Sequence, residues 1–147
     1  VEEVDLKMKI RIIRAVSRAT KQASADNFTG FVLQDEIIVG ELPSKLRAFR
    51  VTFAPGGRTA WHTHTVGQTL HVLSGVGRIG WEGEAARVIQ PGDTIVIPAG
   101  VRHWHGADSN HLHVHLALTE KNEQGEGTVW MEHVSDADYL KEAVFPD

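Results

Sequence analysis

At 147 residues, with 15 basic and 19 acidic side chains, the chain is sized for one hydrophobic core and one site. Its near-balanced charge, formally −4, leaves no basic patch for nucleic acid, and the lack of cysteine excludes disulfides and thiolate metal sites, so any metal must rest on nitrogen and oxygen. No apolar run approaches the ~20 residues a bilayer crossing demands and nothing at the amino end reads as a secretory signal, which predicts a soluble, cytoplasmic protein with no membrane partner.

In chain order, runs rich in Val, Ile, Phe and Thr alternate with Gly, Pro, Asn and Asp, the pattern of a many-stranded all-β fold. The expected strands are 10–16, 28–33, 46–53, 68–73, 77–81, 85–89, 94–97, 112–118 and 128–132. Turn signals stand at 55–57, 74–75, 82–84, 91–93 and 98–100. Near the end, Ser135 followed by Asp138 reads as a capping box opening a short helix over DADYLKEA. A single domain is expected over 9–147, with residues 1–8 as an extension and Met8 before Lys9 reading as a start. Alternation in the middle strands places one set of side chains inside a barrel.

Histidine is the unusual residue: of nine, eight fall between His62 and His115. Residues i and i+2 of a strand share a face, so His62 and His64 in WHTHT can aim both imidazoles into one pocket. His103 and His105 in RHWHG repeat the spacing after the turn PAG, and His111, His113 and His115 form a third alternating set. By parity Trp104 packs on the opposite face from His103, while His105 either lines the pocket or bonds a backbone carbonyl. His71 is out of phase with Gln68 and Leu70 and so faces outward; His133 reads as a surface or supporting residue.

Two longer patterns enclose these pairs. The first reads Gly56, five residues, His62-Thr63-His64, three residues, Gln68, six residues, Gly75. The second reads Gly92, five residues, Pro98-Ala99-Gly100, two residues, His103. Together they resemble the two motifs of the cupin family, and the resemblance implies a cupin barrel, the double-stranded β-helix or jelly roll, with a short C-terminal helix. It also implies one divalent metal ion on His62, His64, Gln68 and His103. Gln68 stands where most members carry glutamate, and Ala107 where the second motif ends in asparagine. Three imidazoles and an amide leave the ion's charge uncompensated, which sharpens its Lewis acidity towards anions. Such ligands suit manganese, iron, nickel, cobalt or zinc, with manganese the expected ion, and four of them on an ion that accepts six leave room for water or substrate. The alternative for Gln68 is a hydrogen bond within the barrel, leaving three ligands.

A narrower resemblance runs through ADNFTG, RTAWHTHTVGQTL, PGDTIVIPAGVRHWHGA and VWMEHVSDADYL. These segments are similar to small bacterial cupins that include the manganese-dependent hydroxynitrile lyases, which implies cleavage or formation of cyanohydrins such as mandelonitrile. It further implies a base twelve residues after the last metal ligand, here His115. In HLHVHLAL histidine alternates with Leu and Val, giving a polar face to an apolar strand, and a neutral imidazole can take a hydroxyl proton. Phe49, Val51 and Phe53 share strand parity; facing inward, Phe49 narrows a substrate pocket to which Val51, His105, His113 and Thr119 are also assigned. Thr119 replaces a glutamine of those lyases.

Three rival readings remain. One is an isomerase or ring-opening enzyme for unsaturated uronates, which predicts basic pocket residues, Arg58 and Arg102 being the candidates. Another is a dioxygenase of the quercetin or cysteine type, and the third is a non-catalytic module that binds a small anion. Small barrels have strand edges to cover, so a homodimer or homotetramer is expected, with His71 at a subunit contact.

Overall fold

Thirteen short strands build two antiparallel sheets in the computed structural model, which describes residues 9–147. They are β1 (Lys21–Gln22), β2 (Phe28–Thr29), β3 (Val32–Val39), β4 (Leu46–Phe53), β5 (Arg58–Thr59), β6 (His62–His64) and β7 (Gln68–Gly75). Then follow β8 (Gly77–Trp81), β9 (Arg87–Ile89), β10 (Thr94–Ile97), β11 (His103–Ala107), β12 (His113–Glu120) and β13 (Thr128–Trp130), before helix α1 (Asp136–Tyr139). One sheet has the order β1-β3-β4-β12-β7-β10; the other runs β13-β6-β11-β5-β2, with β8 paired to β11 and β9 to β8. The expected extension over residues 1–8 lies outside the described residues.

The core lies between the inner faces of the sheets. Val51 and Phe53 of β4, Leu70 and Val72 of β7, Ile79 of β8 and Ile97 of β10 form its buried centre. Burying side chains of this kind stabilises the fold by roughly 1.5–3 kcal/mol each. A second cluster of Trp104, Val134 and Tyr139 lies apart from this core, with Trp61 and Ala86 packed against it. It pins α1, whose Ser135 cap accepts a hydrogen bond from the Asp138 amide as the capping box predicts.

Several expected elements change. Residues 10–16 form no strand: the segment is irregular up to a 3-10 turn at Ala15–Ser17, and its Ile and Val side chains are exposed, because β3 takes its antiparallel partner from Lys21–Gln22 instead. The expected strand over 28–33 is split at Gly30, whose φ of +81° turns the chain, and β3 then continues through residues 34–39 with a bulge between Glu36 and Ile38. The helix stops at Tyr139 rather than spanning DADYLKEA, because Val144 is drawn into a parallel bridge with Arg87 and the chain must extend to reach it. Among the short strands outside the expected ranges, β6 and β11 carry the paired histidines, as the i, i+2 alternation of His62 and His64 expects of a strand, while β5 is two residues long.

Candidate metal centre and its cavity

The first histidine pair sits on β6, where Thr63 faces away and both imidazoles are buried. Gly100, at φ +79°, closes the turn that feeds β11 and donates its amide to the His64 carbonyl, tying the second pair to the first. Register then sets His103 directly across from His62. The fourth group, Gln68, comes from the opposite sheet, at the start of β7. One nitrogen from each of His62, His64 and His103 lies within 4.8 Å of the others.

Hydrogen bonds fix the tautomers. His62 donates Nδ1–H to the Ala60 carbonyl at 2.9 Å, and His103 donates Nδ1–H to the Val101 carbonyl at 2.8 Å, so both Nε2 atoms keep a lone pair. His64 Nδ1 stands 3.1 Å from the Thr128 hydroxyl, leaving its buried Nε2 without a partner. His103 Nε2 faces Gln68 Oε1 at 3.3 Å. Two acceptors facing one another are repelled unless a cation lies between them, so this donor set fits a divalent ion with nitrogen and oxygen ligands. Burial, reinforced by the neighbouring His103, holds His62 well below the ordinary imidazole range; burial likewise brings His64 to about 4 and lowers His103. All three are therefore neutral at pH 7, the form in which imidazole binds metals.

The cluster opens into a cavity of about 420 Å³, within the range of small-molecule sites. Phe49, Val51, Phe53 and Ala117 supply apolar wall, and Trp130 covers one side with its ring 4.7 Å from that of His62. Thr119 lines the cavity too, opposite Gln68 on the neighbouring strand. His105, for which two environments were open, lines the cavity, and neither of its ring nitrogens has a partner.

His115 and His113 are fully buried on the inner face of β12 and are not part of the cavity wall. The His115 ring centre is 4.9 Å from that of His105, its Nδ1 shares a 2.8 Å hydrogen bond with His113 Nε2, and its Nε2 is unpaired. Burial pushes His105 and His115 well below the usual imidazole range and His113 to about 4. His111 does not join this face: β12 begins only at His113, and His111 is an exposed partner of the Asp108 carboxylate at 2.8 Å. Trp104 packs against Tyr139 as parity predicts.

The candidate basic residues are displaced. Arg58 points away from the cavity and donates to the Val134 carbonyl and to Asp136, each at 2.8 Å, while Arg102 pairs with Glu132 over the Trp61 ring. Alternation explains Arg58, because its neighbour Thr59 takes the inward place on β5. Arg47 lines the cavity instead, with its guanidinium carbon 5.4 Å from the centre of the Phe49 ring. Its parity on β4, shared with Phe49, Val51 and Phe53, was the signal for it.

Comparison with known proteins agrees with this architecture. The family model described as Cupin domain matches residues 49–118. An (R)-mandelonitrile lyase of Granulicella tundricola is 43% identical over 90% of this chain and 100% of its own length. A cupin-like protein of Thermotoga maritima superimposes with a TM-score of 0.78 at 33% identity, over 83% of this chain and 92% of that one. The polyketide cyclase RemF of Streptomyces resistomycificus shares the fold at a TM-score of 0.68 and 15% identity, over 89% of this chain and 91% of its own. With both motifs folded around one histidine cluster and a full-length relative at this identity, the chain belongs to the cupin family.

Proposed function

We propose that the protein is a metal-dependent hydroxynitrile lyase that cleaves or forms cyanohydrins. One observation carries the reading: His105, a buried imidazole with two unpartnered ring nitrogens, lines the same cavity as His62, His64 and Gln68. The 43% identity to a mandelonitrile lyase supports it. His62, His64, Gln68 and His103 would hold one divalent ion, manganese by expectation, which when bound supplies Lewis acidity towards an electronegative substrate atom.

The remaining work falls to the chain's own groups. His105 receives the cyanohydrin hydroxyl proton, and His115, one ring behind it, takes that proton on, its other nitrogen held by His113. The carbon–carbon bond then breaks to give aldehyde and cyanide, and the proton returns to cyanide as hydrogen cyanide. Among the described residues no Asp or Glu lines the cavity, so the departing anion meets no like charge from them. Phe49 and Val51 shape the space for the substituent.

Manganese-reconstituted protein should carry about one ion per chain and turn over mandelonitrile. Alanine at His62, His64 or His103 should abolish the metal, because a centre this open cannot spare a ligand. Alanine at His105 or His115 should keep the metal and lower turnover by at least ~100-fold. Parent-rate cleavage by both latter variants would refute the base assignment, and full metal occupancy without turnover would reduce the site to a binding module.

A further inference from the structure

Among the described residues Arg47 is the one formally charged side chain lining the cavity, and neither the metal centre nor the base pair uses it. Its strand neighbours fix its place: Arg47 pairs with Thr119 on β12, and Thr119 pairs with Gln68 on β7. Three residues in one row thus join the metal cluster to Arg47, the backbones of Gln68 and Arg47 lying two strand spacings or about 10 Å apart along the sheet. Across the cavity mouth, Arg47 Nη1 approaches Gly127, where a side chain would stand 3.8 Å away.

The guanidinium is half-buried, and its Nε is buried with no hydrogen-bond partner. Among the described residues no carboxylate lies within ion-pair distance of it, although Asp35, Asp108, Asp136 and Glu132 each engage another arginine. A buried, unpaired donor on a cation costs stability, and a wall otherwise of aromatic, aliphatic and neutral polar groups supplies no compensation. An arginine fork matches a carboxylate with two parallel hydrogen bonds, and a single cation balances a single negative charge.

We infer that the natural ligand of this cavity carries a carboxylate, bound by Arg47. On the lyase reading, on which this inference rests, the substrate class is the cyanohydrin of an aldehyde acid, with Phe49 packing on the segment between the two groups. Neutral cyanohydrins would then be poorer substrates that leave the guanidinium unpaired.

The test compares two probes, 4-formylbenzoate and benzaldehyde, titrated calorimetrically into metal-loaded protein. The parent should bind the carboxylated probe at least tenfold tighter. Arg47→Gln should remove that gap, and Arg47→Lys should keep part of it, with metal content and melting temperature measured for both. No gap in the parent would overturn the inference, as would a gap that survives Arg47→Gln, because the carboxylate would then be held by the metal centre. Turnover of mandelonitrile and its 4-carboxy analogue is scored separately. A gap with no turnover of either supports the carboxylate site while removing the lyase reading, whereas turnover of mandelonitrile with no gap does the reverse.

Discussion

Gln68 is where a single atom changes the chemistry. Its Oε1 faces the Nε2 lone pair of His103, and as an amide it brings no charge to a cluster of three neutral imidazoles. Gln68→Glu places a negative charge within a few ångströms of any bound ion, where two unit charges 4 Å apart interact by about 4 kcal/mol at an intermediate effective dielectric. The variant should keep its metal and bind azide about tenfold more weakly or worse, measured by calorimetric titration. Unchanged azide affinity would mean that Gln68 is not a ligand. The motif spacing made this residue visible, because it links chemical identity to position. It could not decide the surroundings of His105, since parity says which face a side chain takes and not whether a carbonyl waits there. Arg47 was legible by the same parity that singled out Phe49, Val51 and Phe53, but a charged residue on an apolar strand reads more naturally as solvent-facing.

Among the elements, α1 is held by very little of its own: four residues, one Ser135 cap and the ring of Tyr139. The Tyr139 hydroxyl donates to the Ala107 carbonyl at 2.6 Å, and Arg58 and Arg78 lie over its ring. Tyr139→Phe leaves that buried carbonyl without its donor, at a cost of about 1–3 kcal/mol. Thermal melting should fall by about 2–4 °C per kcal/mol with metal content unchanged, because this cluster packs outside the barrel core. Loss of metal in this variant would instead make the tail part of the site. Strands with strict alternation and clear turns, such as β4, β8 and β10, were legible to the residue. The elements that composition missed have a physical reason in common. β5 is only two residues long and is a strand because β2 and β11 pair with it, and residues 10–16 have the composition of a strand without a sheet edge that accepts them. Composition reports what a segment can do, and pairing decides whether it does.

At the scale of the molecule, the buried histidines couple stability to acid. His105, His113 and His115 are neutral in the fold, with imidazoles lowered by burial, His113 to about 4, whereas in the unfolded chain each titrates near 6.5. Below about pH 6.5 the unfolded chain therefore binds more protons, so this contribution is full above that value and is lost as pH falls towards 4. The urea midpoint of metal-free protein should be lower at pH 5 than at pH 7.5, and equal midpoints would refute the account. Outside the barrel the balance is of another kind. Ile10, Ile12 and Val16 are 96%, 80% and 92% exposed, and Val96 on the edge strand β10 is 74% exposed. Exposed apolar side chains of this kind, together with an open strand edge at β10, are costly in water and invite pairing with a second chain. A closed symmetric pair covers both without leaving a new edge, so we predict a homodimer or a dimer of dimers. Light scattering at micromolar concentration should return two or four times the 16.2 kDa of one chain, and Ile12→Lys or Val96→Lys should move the mass towards a single chain. A parent protein that scatters as a 16.2 kDa species would rule the assembly out and leave these side chains bare in solution.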